Sequence, residues 1–391
     1  MLKIIPYLIF LALIFLFSPV RSYAMEITTE ISLGGDGLAG FDIYKPTPGF
    51  LLKECSIGSE PKNPGIYINQ WNNTQSLCNA TKSEANCKDA DIVRANSTSR
   101  FCYWRSQDKI QVALNTQAMD SNLGCYINNP QNPGGYSIYL SRDFIKSVPD
   151  YWTKEEYILG KLKNLYLSTF YKTDYYSQGV CPSGVLDPLV GRDPIATAYV
   201  SLIILEIDPV TRLGKNTIFY QTVMYDNRSS WQQNRESYFN CSLPSSTSPS
   251  GVVVVGNPIG KWGLPMNLPG QSDKYYQWDV LNDIKTMIKK CFGPNVNFNN
   301  FRITGAYIGN ELQNATIMTN TFTKPRMLLV RDSNLLFSDL NNDGKVDIFD
   351  YNILMSDFGK TGTSGFIPAD INKDGKVDIF DYNILISNFG K

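Results

Sequence analysis

Twelve residues from Asp339 to Asp350 place oxygen-bearing side chains at positions 1, 3, 5, 9 and 12, with Gly344 at position 6. The pattern returns from Asp370 to Asp381, thirty-one residues further on. Hard cations such as Ca2+ take about six to eight oxygens, and a chain delivering that many from one short loop must turn sharply at its centre. In the first loop the spacing assigns Asp339, Asn341, Asp343, the carbonyl of Lys345, Asp347 and Asp350 as ligands. In the second it assigns Asp370, Asn372, Asp374, the carbonyl of Lys376, Asp378 and Asp381. Two calcium ions are therefore expected. Position 12 is Asp in both loops, so the shorter acid must close on its ion more tightly than a Glu would.

Tyr-Asn-Ile-Leu-X-Ser-X-Phe-Gly follows each loop and predicts a short helix ended by Gly359 or Gly390. No matching helix precedes the first loop, so the arrangement is half an EF-hand, twice. It resembles the type I dockerin, the duplicated calcium-loop module of secreted polysaccharide-degrading systems, over residues 335–391. The resemblance implies a cohesin-like protein partner. It also gives Ile348-Phe349 and Ile379-Phe380 a role in choosing that partner, where well-known dockerins carry a hydroxyl pair. The alternative for these four residues is that they fill the small module's core.

The rest of the chain has carboxylates, tyrosines and lysines to work with, because it contains no histidine. That excludes Ser-His-Asp and Cys-His catalysis and every histidine-ligated metal. Glu206 alternates with Leu202 and Ile204 on one strand face, Glu311 follows a strongly apolar strand, and Asp226 ends another. A glycosidase needs two carboxyl groups about 5–9.5 Å apart, depending on mechanism. Glu206 with Glu311 is the expected catalytic pair if the body is an enzyme, a glycoside hydrolase in that case. Aromatic residues make up 13% of the chain, and sugar C–H faces stack on such rings. Trp231 and Trp262 lie among polar loops and are the candidate glycan-binding residues; Tyr225 and Trp278 share that setting.

Lys3 and an apolar run from Ile4 to Phe17, followed by Ser22-Tyr23-Ala24, read as a signal peptide over residues 1–24. After its cleavage no membrane span is expected, and the protein is placed outside the cell or on its surface. Net charge is zero with no basic run, which argues against a nucleic-acid partner. All eight cysteines precede the calcium loops. An even number in an exported chain predicts disulfides. Five fall between Cys55 and Cys125, so at least one must pair with a later cysteine.

These elements set the expected fold class. It is mainly β: an antiparallel, jelly-roll-like β-sandwich body over residues 25–332, with a sub-boundary near 130, plus the small helical calcium module. Helices are expected from Thr153 to about Phe170 and from Asp279 to about Cys291. Strands are expected at Tyr136–Leu140, Ala198–Ile207, Thr217–Tyr225, Gly251–Val255, Phe301–Ile308, Ala315–Thr321 and Met327–Arg331. Arg302 to Glu311 resembles a late strand of concanavalin-like sandwiches that handle sugars. Two function classes follow. One is polysaccharide binding or catabolism by a calcium-module-bearing secreted protein. The other is a non-catalytic structural or adhesive surface protein that uses the module for assembly.

Overall fold

The computed structural model describes residues 26–35, 37–47, 50–59, 62, 65–71, 75–119, 125, 136–181, 194–208, 211, 213–228, 238–242, 251–332, 338–341, 343, 345–362, 367–372 and 374–390. The expected signal segment and Trp231 lie outside them. The chain divides into two compact units, a body of residues 28–330 and a second unit of residues 331–391 with the first twenty-seven.

Sixteen strands are described: β1 (Glu26–Ser32), β2 (Gly40–Thr47), β3 (Phe50–Gly58), β4 (Ile66–Trp71), β5 (Ile92–Ala95), β6 (Ser99–Trp104), β7 (Lys109–Asn115), β8 (Tyr136–Asp143), β9 (Asn164–Gln178), β10 (Ile195–Ile207), β11 (Gly214–Asp226), β12 (Tyr238–Ser242), β13 (Gly251–Pro258), β14 (Lys274–Asp279), β15 (Phe301–Gln313) and β16 (Thr316–Asp332). Seven form a sheet in the order β14-β9-β16-β7-β6-β5, with β1 also pairing β16. Nine form a second sheet in the order β12-β13-β11-β10-β15-β8-β4-β2-β3. β11 with β13 and β2 with β4 pair in parallel; the other neighbours, β1 with β16 aside, pair antiparallel. The mainly β, two-sheet body agrees with the expected fold class.

Alternation along each strand builds the core between the sheets. On β10, Ala196, Ala198, Val200, Leu202 and Ile204 are fully buried; on β9, so are Leu165, Leu167, Thr169, Tyr171 and Thr173. Phe41 of the nine-stranded sheet meets Phe101 and Tyr103 of the other edge-on, at 5.4 and 5.2 Å between ring centroids. A buried polar chain also crosses the interior. Tyr171 donates its hydroxyl to Asn320 Oδ1 at 2.7 Å, and Asn320 Nδ2 donates to Asn310 Oδ1 at 2.7 Å. Pairing these amides avoids the cost of burying them unsatisfied.

The one-turn helix α1 (Phe144–Ser147) and helix α2 (Leu281–Phe292) complete the body's described α-helices. Leu281, Ile284 and Ile288 are the buried stripe of α2. Its Asp283 accepts 2.6 Å hydrogen bonds from Tyr220 and Asn257 and pairs with Lys261. Four disulfides are present: Cys55–Cys78, Cys87–Cys102, Cys125–Cys181 and Cys241–Cys291. The first five cysteines do send one, Cys125, to a later partner.

One expected element is different. Residues 151–161 form three short 3-10 turns, and from Asn164 the chain is the fifteen-residue strand β9 rather than the end of a helix. Leu162 and Leu165 fit a helical repeat, but Leu165, Leu167, Thr169 and Tyr171 fit a repeat of two. The Thr- and Tyr-rich stretch beyond them favours the strand. The two strands expected between Ala315 and Arg331 are one, β16, whose register shifts between Thr323 and Arg326.

Candidate functional sites

In the second unit, helices α3 (Ile348–Asp357) and α4 (Ile379–Asn388) each follow one acidic loop. Asp347 and Asp378 cap them, and Asp350 and Asp381 reach back to the cap amides, giving two capping boxes. Val346, Leu354, Ala369, Ile371, Val377 and Leu385 form the buried core. The halves clasp each other. Gly359, after α3, donates its amide to Val377 O at 2.8 Å, and Gly390, after α4, donates to Val346 O at 2.7 Å. Both glycines have positive φ, +84° and +80°, the left-handed conformation that ends a helix at least cost in glycine.

All twelve expected ligand residues lie in these loops, and the two loops repeat each other. Asp339, Asp350, Asp370 and Asp381 are buried. Asp350 accepts from the amides of Asn341 and Asp347 at 3.1 and 2.8 Å; Asp381 accepts from Asn372 and Asp378 at 3.0 and 2.8 Å. Asn341 and Asn372 each accept from the amide two residues on, at 2.9 Å. Among the described residues no three acidic side chains gather closely enough to hold a metal as they stand; these oxygens face loop amides. The donor set is nonetheless all hard oxygen, with carboxylates buried four to the module, and it fits a calcium-class cation in chemistry and spacing. Ile348, Phe349, Ile379 and Phe380 are not core residues: they are exposed at 52, 61, 51 and 62%.

In the body, the outward face of the nine-stranded sheet carries an ordered polar and aromatic array. Register places Asp226, Thr197, Glu311, Ser137 and Trp71 in one cross-strand row, on β11, β10, β15, β8 and β4. The next row holds Val223, Tyr199, Gly309, Tyr139 and Asn69, and the third Gln221, Ser201, Tyr307, Ser141 and Tyr67. Tyr139 and Tyr199 each donate to Glu311 Oε2 at 3.2 Å. Burial raises the Glu311 pKa, opposed by these hydrogen bonds and by the charge of Arg228. Burial, then the Glu311 charge, also lifts Tyr139 and Tyr199 well above 10, so both remain hydroxyl donors. Asp226 is fully buried and grips Arg228 through both oxygens, at 2.9 and 2.5 Å. Gln221 Nε2 donates to the Tyr307 hydroxyl at 2.8 Å, and Trp71 stands 45% exposed at the end of its row.

Glu206 is not part of this array. It pairs with Phe301 on β15, whereas Glu311 pairs with Thr197, nine residues back along β10. That is about 30 Å of strand, so the structure does not bring Glu206 and Glu311 together. Glu206 instead accepts from Asn216 and lies 3.9 Å from Lys215. Trp262 ends a short turn with its ring packed on the core, 6.3 Å from Trp278, and its Nε1 donates to Asp279 O at 3.0 Å. The aromatics the sequence passes over are Tyr139, Tyr199 and Tyr307. Their signal is alternation: each occupies the outward phase of a strand whose other phase is apolar.

With this geometry in view, residues 337–390 match the family model described as Dockerin type I domain. The C-terminal module is of dockerin type. No curated protein matches the chain. Solved structures that the chain matches include a family 12 xyloglucanase from Bacillus licheniformis, at 8% identity and TM-score 0.34, covering 64% of this chain and 97% of that one. Endoglucanase cel12A from Rhodothermus marinus gives 9%, 0.33, 61% and 91%. The family 11 xylanase from Neocallimastix patriciarum gives 9%, 0.28, 78% and 96%. Similarity this low transfers no residue role to the body; the dockerin-type match concerns the C-terminal residues alone. Among the described residues no helix is long and apolar enough to cross a membrane.

Proposed function

We propose that the body recognises a polysaccharide along the outward face of the nine-stranded sheet, and that the dockerin-type module fastens it to a cohesin-like partner outside the cell. The observation that carries the body's part is the three-row array around Glu311. It combines the exposed ring of Trp71 and the part-exposed rings of Tyr67 and Tyr307 with hydroxyl, amide and carboxyl groups of the kind that bond sugar hydroxyls, while the buried Tyr139 and Tyr199 hold Glu311. In the module, Asp339, Asn341, Asp343, the Lys345 carbonyl, Asp347 and Asp350 would hold one calcium ion. Asp370, Asn372, Asp374, the Lys376 carbonyl, Asp378 and Asp381 would hold the second. Bound calcium supplies the positive charge that lets these acids close together.

Hydrolysis is the second reading, favoured by Glu311 itself. Burial raises the pKa of this carboxyl toward the protonated form that an acid catalyst of glycosidic cleavage needs, and two tyrosine hydroxyls fix its position. Asp226, two strand spacings away, is the companion acid, held by Arg228 through both of its oxygens. The test is to screen the full chain against neutral polysaccharides for retention and for new reducing ends. Retention weakened by Tyr307→Ala supports binding. Turnover abolished by Glu311→Gln with retention kept adds hydrolysis. A protein that neither retains nor cleaves any of them is left with the structural role.

A further inference from the structure

The seven-stranded sheet has an outward face of its own. On β7 the core takes Ile110, Val112 and Leu114, so Gln111, Ala113 and Asn115 point the other way. With Arg100 of β6, Thr319 of β16 and Asp174 and Tyr175 of β9 they line a groove of about 500 Å³. Its floor is a polar network. Arg100 Nη2 donates to Gln111 Oε1 at 3.2 Å, and Gln111 Nε2 donates to Asp174 Oδ2 and Thr321 Oγ1 at 3.2 Å each. Two buried polar atoms there, Arg100 Nε and Asn115 Oδ1, have no protein partner. Tyr175 stands over the floor 51% exposed.

From this geometry we infer a second ligand site, on the sheet opposite Glu311, that takes a neutral oligosaccharide. The buried donor and acceptor left over in the floor call for a ligand that both accepts and donates, as a sugar hydroxyl does. Tyr175 offers a ring face for the sugar's C–H face. Charge decides against an anion. Arg100 is answered by Glu84 at 3.9 Å and Lys172 by Asp174 at 3.1 Å, so the site carries no surplus positive charge. The site would hold a polysaccharide chain on a surface separate from the one where it is read or cut. This inference shares the substrate class of the proposed function but rests on different residues.

The test is calorimetric titration of the full-length protein with cellohexaose, xylohexaose and mannohexaose. A binding event weakened at least tenfold by Tyr175→Ala, restored by Tyr175→Phe and untouched by Glu311→Gln supports the site. Tyr175 is exposed, and an unchanged circular dichroism spectrum of the Ala variant shows that the fold is kept. If the Glu311 face binds no glycan, Tyr307→Ala and Glu311→Gln will leave every event unchanged while Tyr175→Ala still removes this one. The inference is overturned if Tyr175→Ala leaves all binding unchanged, if none of the three probes binds, or if only anionic sugars do.

Discussion

Asp226 and Glu311 stand on either side of β10, each paired in register with the same residue, Thr197. Two strand spacings put their Cα atoms roughly 10 Å apart on one sheet face. Asp226 is locked to Arg228 and Glu311 to two tyrosines. Burial raises the pKa of Glu311, whereas Asp226 is tied to a guanidinium, so the two acids sit in different environments, which is the starting condition for dividing acid–base work.

A pH dependence follows. The folded-state pKa of Glu311 is raised above its ordinary 4.5, so the folded protein binds that proton more tightly than the unfolded chain does. Its contribution to stability is therefore complete below about pH 4.5 and is lost as pH rises through the higher folded value. Thermal melts of wild type and Glu311→Gln should diverge on this account, with the Gln variant gaining relative stability as pH rises from about 4 toward 7. A difference in Tm that is constant across that range would contradict the raised pKa.

The buried Asn320 gives a second measure. It accepts from Tyr171 and donates to Asn310, and both partners are buried. Asn320→Ala leaves the buried Asn310 Oδ1 without its donor, while the Tyr171 hydroxyl keeps Thr173 Oγ1 at 2.9 Å. Chemical denaturation should show a loss of about 1–3 kcal/mol at unchanged m-value. A loss under about 0.5 kcal/mol, as for a surface change, would show that the chain is not an inter-sheet tie.

What the sequence discloses depends on whether local chemistry or register decides. The calcium loops are legible because ligation imposes positions 1, 3, 5, 9 and 12 within one short stretch. The sheet content is legible because alternation is local. The stretch after Lys163 is not, since Leu162 and Leu165 serve two periods at once and only the packing of β9 between β14 and β16 chooses. Glu206 and Glu311 are each well-chosen outliers in apolar strands, but their separation depends on the β10–β15 register, which no single strand encodes. Tyr139 and Tyr199 gain meaning only when Gly309 sets them two strands apart over Glu311.

The disulfides should differ in value by loop length. Cys125–Cys181 spans 56 residues and Cys87–Cys102 spans 15. On the chain-entropy account, removing the first costs about 4 kcal/mol and the second about 3. Melting the double-alanine variants side by side checks the order, and reductant should lower the Tm of wild type below that of either.

The near-identity of the two halves of the module makes the last prediction. Segments 339–360 and 370–391 differ at four positions, none a ligand or part of an Ile-Phe pair. Phe349 and Phe380 are exposed to almost the same degree, 61 and 62%, and the Gly359 and Gly390 clasps are reciprocal. One apolar patch is thus presented twice, related by a pseudo-twofold. Calorimetric titration of the full chain should count two calcium ions, falling to one in Asp343→Ala and in Asp374→Ala. Toward a cohesin-like partner, Phe349→Ser or Phe380→Ser alone should change affinity by less than about threefold, because the other face remains. The double change should remove binding, each Phe acting as the central apolar anchor of its own face. A loss of tenfold or more from either single change, with two calcium ions still bound, would show that the partner uses one face only.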